Sequence, residues 1–217
     1  DILMSTSFEP ASTPRLRCEL HNAITHFAHS TFECDMTDPH SIELVHFGSK
    51  RWANYFKVVL LGLQSVLPPE VRQNAHGTIK VLVDGTVPPE SSLSSSAAMT
   101  TCSSIVILTA LKALHVVPRK VIADVACHSE RLVGVHSGGM DQAVSVFGQR
   151  DKALFVSFAP TLHVSPIELP LGHQYVFLVT NTMIKSDKKA TAPDRYNLRV
   201  VETRLAAAVL KRVLQTK

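Results

Sequence analysis

Apolar positions recur along this chain with two different periods, and each period predicts an element. From Lys50 to Leu67 the set Trp52, Tyr55, Phe56, Val59, Leu63 and Val66 returns at helical spacing, and Pro68-Pro69 stops it. That stretch is expected to be a core-packing helix. From Gly77 to Val83 the period shortens, with Ile79, Val81 and Val83 alternating against Thr78, Lys80 and Leu82, which predicts a strand. Ala97 to Leu114 is apolar nearly all round and carries Ser, Thr and Cys rather than charge, so a buried helix is expected. Pro118 opens another helix, running to about Leu132 with Val121, Val125, His128 and Leu132 on one side. Gly138-Gly139 breaks that pattern, and Asp141 follows. Two strand-like runs, ALFVSF at 153–158 and YVFLVT at 175–180, flank the proline-marked loop Pro160 to Gly172. A last helix is expected to open near Pro193 and to bury Leu198, Val201, Leu205 and Ala208. In residues 1–34 only the short apolar runs Asp1 to Met4 and Phe27 to Phe32 suggest strands.

Strands mixed with long helices, without strict alternation, predict an α+β fold rather than a doubly wound sheet. The composition turns strand-rich near Arg150, so a boundary is expected there. At 217 residues, 45% hydrophobic and 18% charged, the chain can build a real core. No apolar run approaches the length needed to span a bilayer, and no signal peptide opens the sequence, so a soluble, cytoplasmic protein without membrane partners is expected. Cys18, Cys34, Cys102 and Cys127 lack CxxC spacing and read as reduced, partly buried thiols. The net charge of +4 is dispersed and carries no aromatic interleaving, so direct nucleic-acid binding is not expected. His21, His26 and His29 fit neither an H-E-x-x-H helix nor a C₂H₂ finger.

Two stretches carry candidate chemistry. In VPPESSLSSSAAM, Val87 to Met99, a strand would end at Asp84 and a helix would begin at Ser94-Ser95-Ser96. Orphan backbone N–H groups and the positive helix end would then converge on one spot, which suits a phosphate. A serine-rich helix start is also an ordinary N-cap, and no GK[ST] is present to make a Walker A loop. In HSERLVGVHSGGMDQ, His128 to Gln142, Glu130 and Asp141 are carboxylates beside a glycine pair that lets backbone approach a ligand. Each also reads as a surface carboxylate or a turn residue.

Taken together the stretches are more specific. PPESSLSSSAAM resembles the second signature of the GHMP small-molecule kinases, P-x-G-x-G-L-S-S-S-A-A. VGVHSGGMDQAVSVFGQRDKALFV resembles the galactokinase branch, and NTMIKSDKKATAPDRYNLRVVETRLAAAVL, residues 181–210, is similar to fungal galactokinases in particular. The resemblance implies the GHMP kinase fold, with residues 1–150 forming most of a first lobe like domain 2 of ribosomal protein S5, and 151–217 the start of a second α+β lobe. It implies ATP and Mg²⁺ as cofactors and galactose as substrate. Leu93, Ser94, Ser95, Ser96 and Ala97 would be the nucleotide loop, with Ser96 and Glu130 on the metal. Asp141 would be the catalytic carboxylate at the C1 hydroxyl, and Gly138 and Tyr196 would join it in contacting the sugar.

The family's earlier signature, G-R-V-N-x-I-G-E-H-x-D-Y, and its late glycine-rich signature have no counterpart here. With a start inside an apolar run and an end inside a helix, the chain is expected to be a fragment without turnover of its own. The family's two loop glycines are Glu90 and Ser92 here. A positive φ at either would cost about 1–2 kcal/mol, and the Glu90 charge about 1 kcal/mol more. ATP affinity is therefore expected to fall roughly ten- to a hundredfold. A rival expectation is a galactose- and ATP-binding transcriptional inducer, which binds a repressor without catalysis.

Overall fold

The computed structural model describes residues 2–89, 91–169, 178, 180, 182–183 and 195–215. Within them the expected α+β architecture is present. A four-stranded sheet has the order β1-β4-β2-β3, made of β1 (Ile2–Pro10), β2 (Leu16–Asn22), β3 (Ser30–Cys34) and β4 (Gly77–Gly85). Strand β4 runs antiparallel to β1 and parallel to β2, while β2 and β3 are antiparallel. In β4 the residues Ile79, Val81 and Val83 are buried and Lys80 and Leu82 face out, as the alternation predicts.

Strand β2 was not expected, although its Leu16, Cys18 and Leu20 alternate just as strictly and are all fully buried. The charged residues between them, Arg17 and Glu19, pair across the outer face at 2.9 Å. Of the expected run Phe27 to Phe32, the first half leads in and the second half, Ser30 to Phe32, opens β3, so the strand is present but starts three residues later.

The helices are α1 (Asn54–Gln64), α2 (Pro69–Gln73), α3 (Ser95–Ala110), α4 (Arg119–Arg131), α5 (Met140–Phe147) and α6 (Asn197–Gln215). Helices α1, α3 and α4 pack against one another, and α3 also lies against β1. Their inward residues, Phe56, Val59 and Leu63 of α1, Ile107 and Leu108 of α3, and Ile122 and Val125 of α4, share one core with β2 and β4. Each large side chain buried there contributes about 1.5–3 kcal/mol. Gly62 sets how closely α1 meets α4, since a Cβ there would lie 2.4 Å from Ser129 Oγ.

Several expectations are corrected. The buried face of α4 is Ile122, Val125, Ala126, Ser129 and Glu130, whereas His128 and Leu132 are exposed. The inward face is thus rotated from the expected one, and it carries the polar Ser129 and Glu130 in place of His128 and Leu132. The proline-marked loop contains a strand, β6 (His163–Glu168), which pairs antiparallel with β5 (Lys152–Ser157). Among the described residues β6 pairs only with β5, so no second ladder there asks for the N–H that Pro166 lacks. Helix α6 forms, but Leu198, Val201, Leu205 and Ala208 are exposed, because no described element covers that face. The expected helix start near Pro193 and most of the expected strand 175–180 lie outside the described residues. Among the described residues no helix is long and apolar enough to cross a membrane, and Cys18, Cys34, Cys102 and Cys127 are free thiols.

Candidate active site

The parallel strands β2 and β4 end side by side, with Asn22 opposite Val83, and a cleft of about 450 Å³ opens beyond them. One wall is the loop from Gly85 into α3. There Ser92 and Ser94 both adopt the left-handed conformation, each with φ 58°. Those two reversals swing the chain from the strand end into the helix, so that Ser92, Ser94, Ser95 and Ser96 line the cleft together. The Ser94 side chain makes no capping hydrogen bond, and among the described residues the N–H groups of the first turn of α3 are left available to a ligand. The facing wall is aromatic and includes Phe27, Trp52 and Tyr55. Trp52 is fixed by its indole N–H, which donates to the Ala28 carbonyl at 2.8 Å. A flat apolar wall opposite a row of N–H donors and hydroxyls suits a ring joined to a phosphate chain.

Of the expected nucleotide residues, the three serines line this cleft, whereas Leu93 is exposed and Ala97 is buried beneath the helix start. Glu90 lies outside the described residues.

Glu130 lies late in α4 and is 2% exposed. Its Oε2 accepts hydrogen bonds from Ser137 Oγ at 3.0 Å and from Gln142 Nε2. Gln142 follows Asp141 in the first turn of α5, so this contact ties the end of α4 to the start of α5. Gly139 makes the entry to α5 with φ 91°, and a Cβ there would lie 3.0 Å from Cys127 Sγ. Asp141 is half-buried, and Gly138 faces open space.

Tyr196 joins this group from the start of the α6 segment. Burial pushes its phenol pKa up, and the carboxylates of Glu130 and Asp141 push it further in the same direction. The next residue, Asn197, clips the intervening loop, donating to the Gly134 carbonyl and accepting from the His136 N–H, both at 3.3 Å. Val135 of the same loop reaches the cleft wall. The serine-lined cleft and the carboxylate group are thus joined through residues 134–139.

Sequence reasoning missed Ser137, Gln142 and Asn197. A signal existed for one of them, since Gln142 lies one turn before the buried Val146 and therefore on the inward face of α5.

Residues 54–149 match the family description "GHMP kinases N terminal domain". That segment of the chain is similar to a GHMP kinase amino-terminal domain. It is 35% identical over 167 residues to the galactokinase of Schizosaccharomyces pombe, a match that covers 73% of this chain and 32% of the relative. The galactokinase of Candida albicans is 39% identical over 163 residues, 75% of this chain and 31% of its own length. That of Saccharomyces cerevisiae is 37% identical over 166 residues, 73% of this chain and 31% of its own length. The chain therefore spans about a third of the length of these relatives. The crystal structure of Lactococcus lactis galactokinase complexed with galactose superposes with a TM-score of 0.66 at 22% identity, covering 99% of this chain and 50% of that one. The GHMP kinase fold is thereby the fold of this chain.

The residues present fit a nucleotide and a divalent cation. Glu130 is a buried carboxylate that forms no ion pair among the described residues, and the helix end of α3 offers uncapped N–H groups and hydroxyls. Buried carboxylates are ordinarily met by a counter-charge, and a hard cation takes oxygen donors.

Proposed function

We propose that the protein to which this chain belongs is a galactokinase, transferring the γ-phosphoryl group of ATP to the C1 hydroxyl of galactose. The observation that carries this reading is the serine-lined start of α3 at an open cleft, with the buried Glu130 carboxylate tied through Gln142 to the turn that carries Asp141. The 35% and 39% identity to the fungal galactokinases supports the choice of sugar.

In this reading Ser94, Ser95 and Ser96 hold the phosphates through hydroxyls and the N–H groups of α3. Ser96 and Glu130 hold Mg²⁺, which supplies neutralisation of the triphosphate charge. Asp141 accepts the C1 hydroxyl proton or supports the developing charge on that oxygen. The oxygen attacks the γ-phosphorus, the bond from that phosphorus to the β–γ bridging oxygen breaks, and ADP leaves. Tyr196 and Gly138 contact the sugar. Residues 1–150 form most of the first lobe and 151–217 the start of the second, a division supported by β5 pairing only with β6 among the described residues.

The test is a coupled assay of ADP release by the complete natural protein. Galactose-dependent release, abolished in Asp141→Asn while calorimetric ADP binding persists, is the expected result. Galactose-dependent binding of a repressor without turnover would replace the enzyme with a transcriptional inducer.

A further inference from the structure

Glu130, Ser137 and Gln142 form a closed triangle of side chains between α4 and α5. The exposures are 2%, 9% and 0%. Ser137 Oγ and Gln142 Nε2 both donate to Glu130 Oε2, and Gln142 Nε2 also lies 3.4 Å from Ser137 Oγ. Both donors are neutral, so the carboxylate is oriented but its charge is not met. Both fall on the same oxygen, so Oε1 stays outside the clamp. Gln142 Oε1 is buried and has no donor among the described residues. The cluster therefore has more acceptor oxygens than donors, which is the imbalance that a cation and its coordinated water correct.

We propose that Ser137 and Gln142 are positioning residues that grip Oε2 of Glu130 and so present its Oε1 to the bound divalent cation. Because Gln142 is the neighbour of Asp141 on α5, the same grip fixes the metal-binding carboxylate and the proton-accepting carboxylate relative to each other. This inference rests on the nucleotide-kinase reading of the site. Partners of this kind orient metal ligands, and losing one typically costs about 10- to 100-fold in metal affinity.

The experiment uses Mn²⁺ as the probe in the complete natural protein. Electron paramagnetic resonance of free Mn²⁺, with ADP present, gives the metal affinity, and calorimetry of ADP in EDTA gives the metal-free affinity. Gln142→Met should weaken Mn²⁺ binding by about tenfold or more while metal-free ADP binding stays within about twofold, the margin set by an uninvolved site. Ser137→Ala should move the same way, and Ser137→Thr, which keeps the hydroxyl, should restore wild-type affinity. If Gln142→Met does not fold, the two Ser137 variants decide the matter alone. Unchanged Mn²⁺ affinity, an equal loss without metal, or Ser137→Thr falling as far as Ser137→Ala would each overturn the proposal. A wild-type protein whose ADP binding ignores Mn²⁺ would instead overturn the parent reading, and this one with it.

Discussion

The start of α3 offers its chemistry through backbone, and the end of α4 offers it through side chains. At α3, two left-handed serines turn the chain so that uncapped N–H groups meet an open cleft. At α4, one carboxylate is enclosed by two donors and shut away from water. The first arrangement stores conformational strain and keeps its groups unsatisfied, whereas the second satisfies one oxygen and hides the rest. A site that must grip a mobile anion and also hold a cation in fixed geometry needs both. The difference predicts opposite responses to mutation.

The largest effect is expected at the enclosed half. Glu130→Ala removes the acceptor for Ser137 and Gln142, leaving buried donors unpaired and a cavity behind, and should cost about 2–4 kcal/mol. Glu130→Gln keeps the shape and one acceptor oxygen, so about half that loss is expected. Urea unfolding of the two variants measures it. An alanine variant as stable as wild type would mean that the triangle of hydrogen bonds contributes nothing to the fold.

Legibility from sequence followed the same division. The serine run announces itself because helix-end chemistry is local: residues consecutive in the chain, Ser94 to Ser96, are consecutive in the cleft. Glu130 could not be told from a surface carboxylate, because its burial depends on Gly62 letting α1 approach α4 and on α5 folding back across it. These are contacts between distant residues, and no periodicity records them. Period did reveal β4, α1 and α4, since each is amphipathic by itself, and an unbroken apolar run revealed α3, whereas the short helices α2 and α5 carry no period long enough to read. It failed for α6, whose apolar residues at helical spacing predict burial, although burial requires a partner that no described element supplies. Only the resemblance singled out Tyr196, and its half-buried place next to Asn197 depends on the tertiary clip from Asn197 to Gly134 and His136.

The join between the halves should show an intermediate sensitivity, concentrated at one of two adjacent glycines. Gly139 has φ 91°, and a Cβ there would lie 3.0 Å from Cys127 Sγ and 3.2 Å from Phe158 Cε1. Gly139→Ala should therefore cost about 1–2 kcal/mol and loosen the entry to α5. Gly138 has open space around its Cβ position, so Gly138→Ala should stay within about 0.5 kcal/mol of wild type. Equal shifts in urea midpoint for the pair would sink the claim that Gly139 alone sets this turn.

The smallest effect, and the one of opposite sign, belongs to the strained half. Ser92 is held at φ 58°, where an L-residue pays a steric cost that glycine does not. Part of the relief in Ser92→Gly is offset by the freer unfolded chain, so a net gain of about 0.5–1 kcal/mol is expected. If the gain falls on the nucleotide-holding conformation of the loop, ADP binding tightens by about two- to fivefold. Ser94 is the control, because it shares the φ of 58° and the cleft with Ser92 but belongs to the row proposed to hold the phosphates. Ser94→Gly relieves the same strain but deletes a hydroxyl assigned to the phosphates, which Ser92→Gly does not, so its ADP affinity should fall, not rise. Calorimetry on the complete natural protein separates the two variants. If Ser92→Gly binds no more tightly than wild type, the left-handed turn at that position is not what limits nucleotide binding.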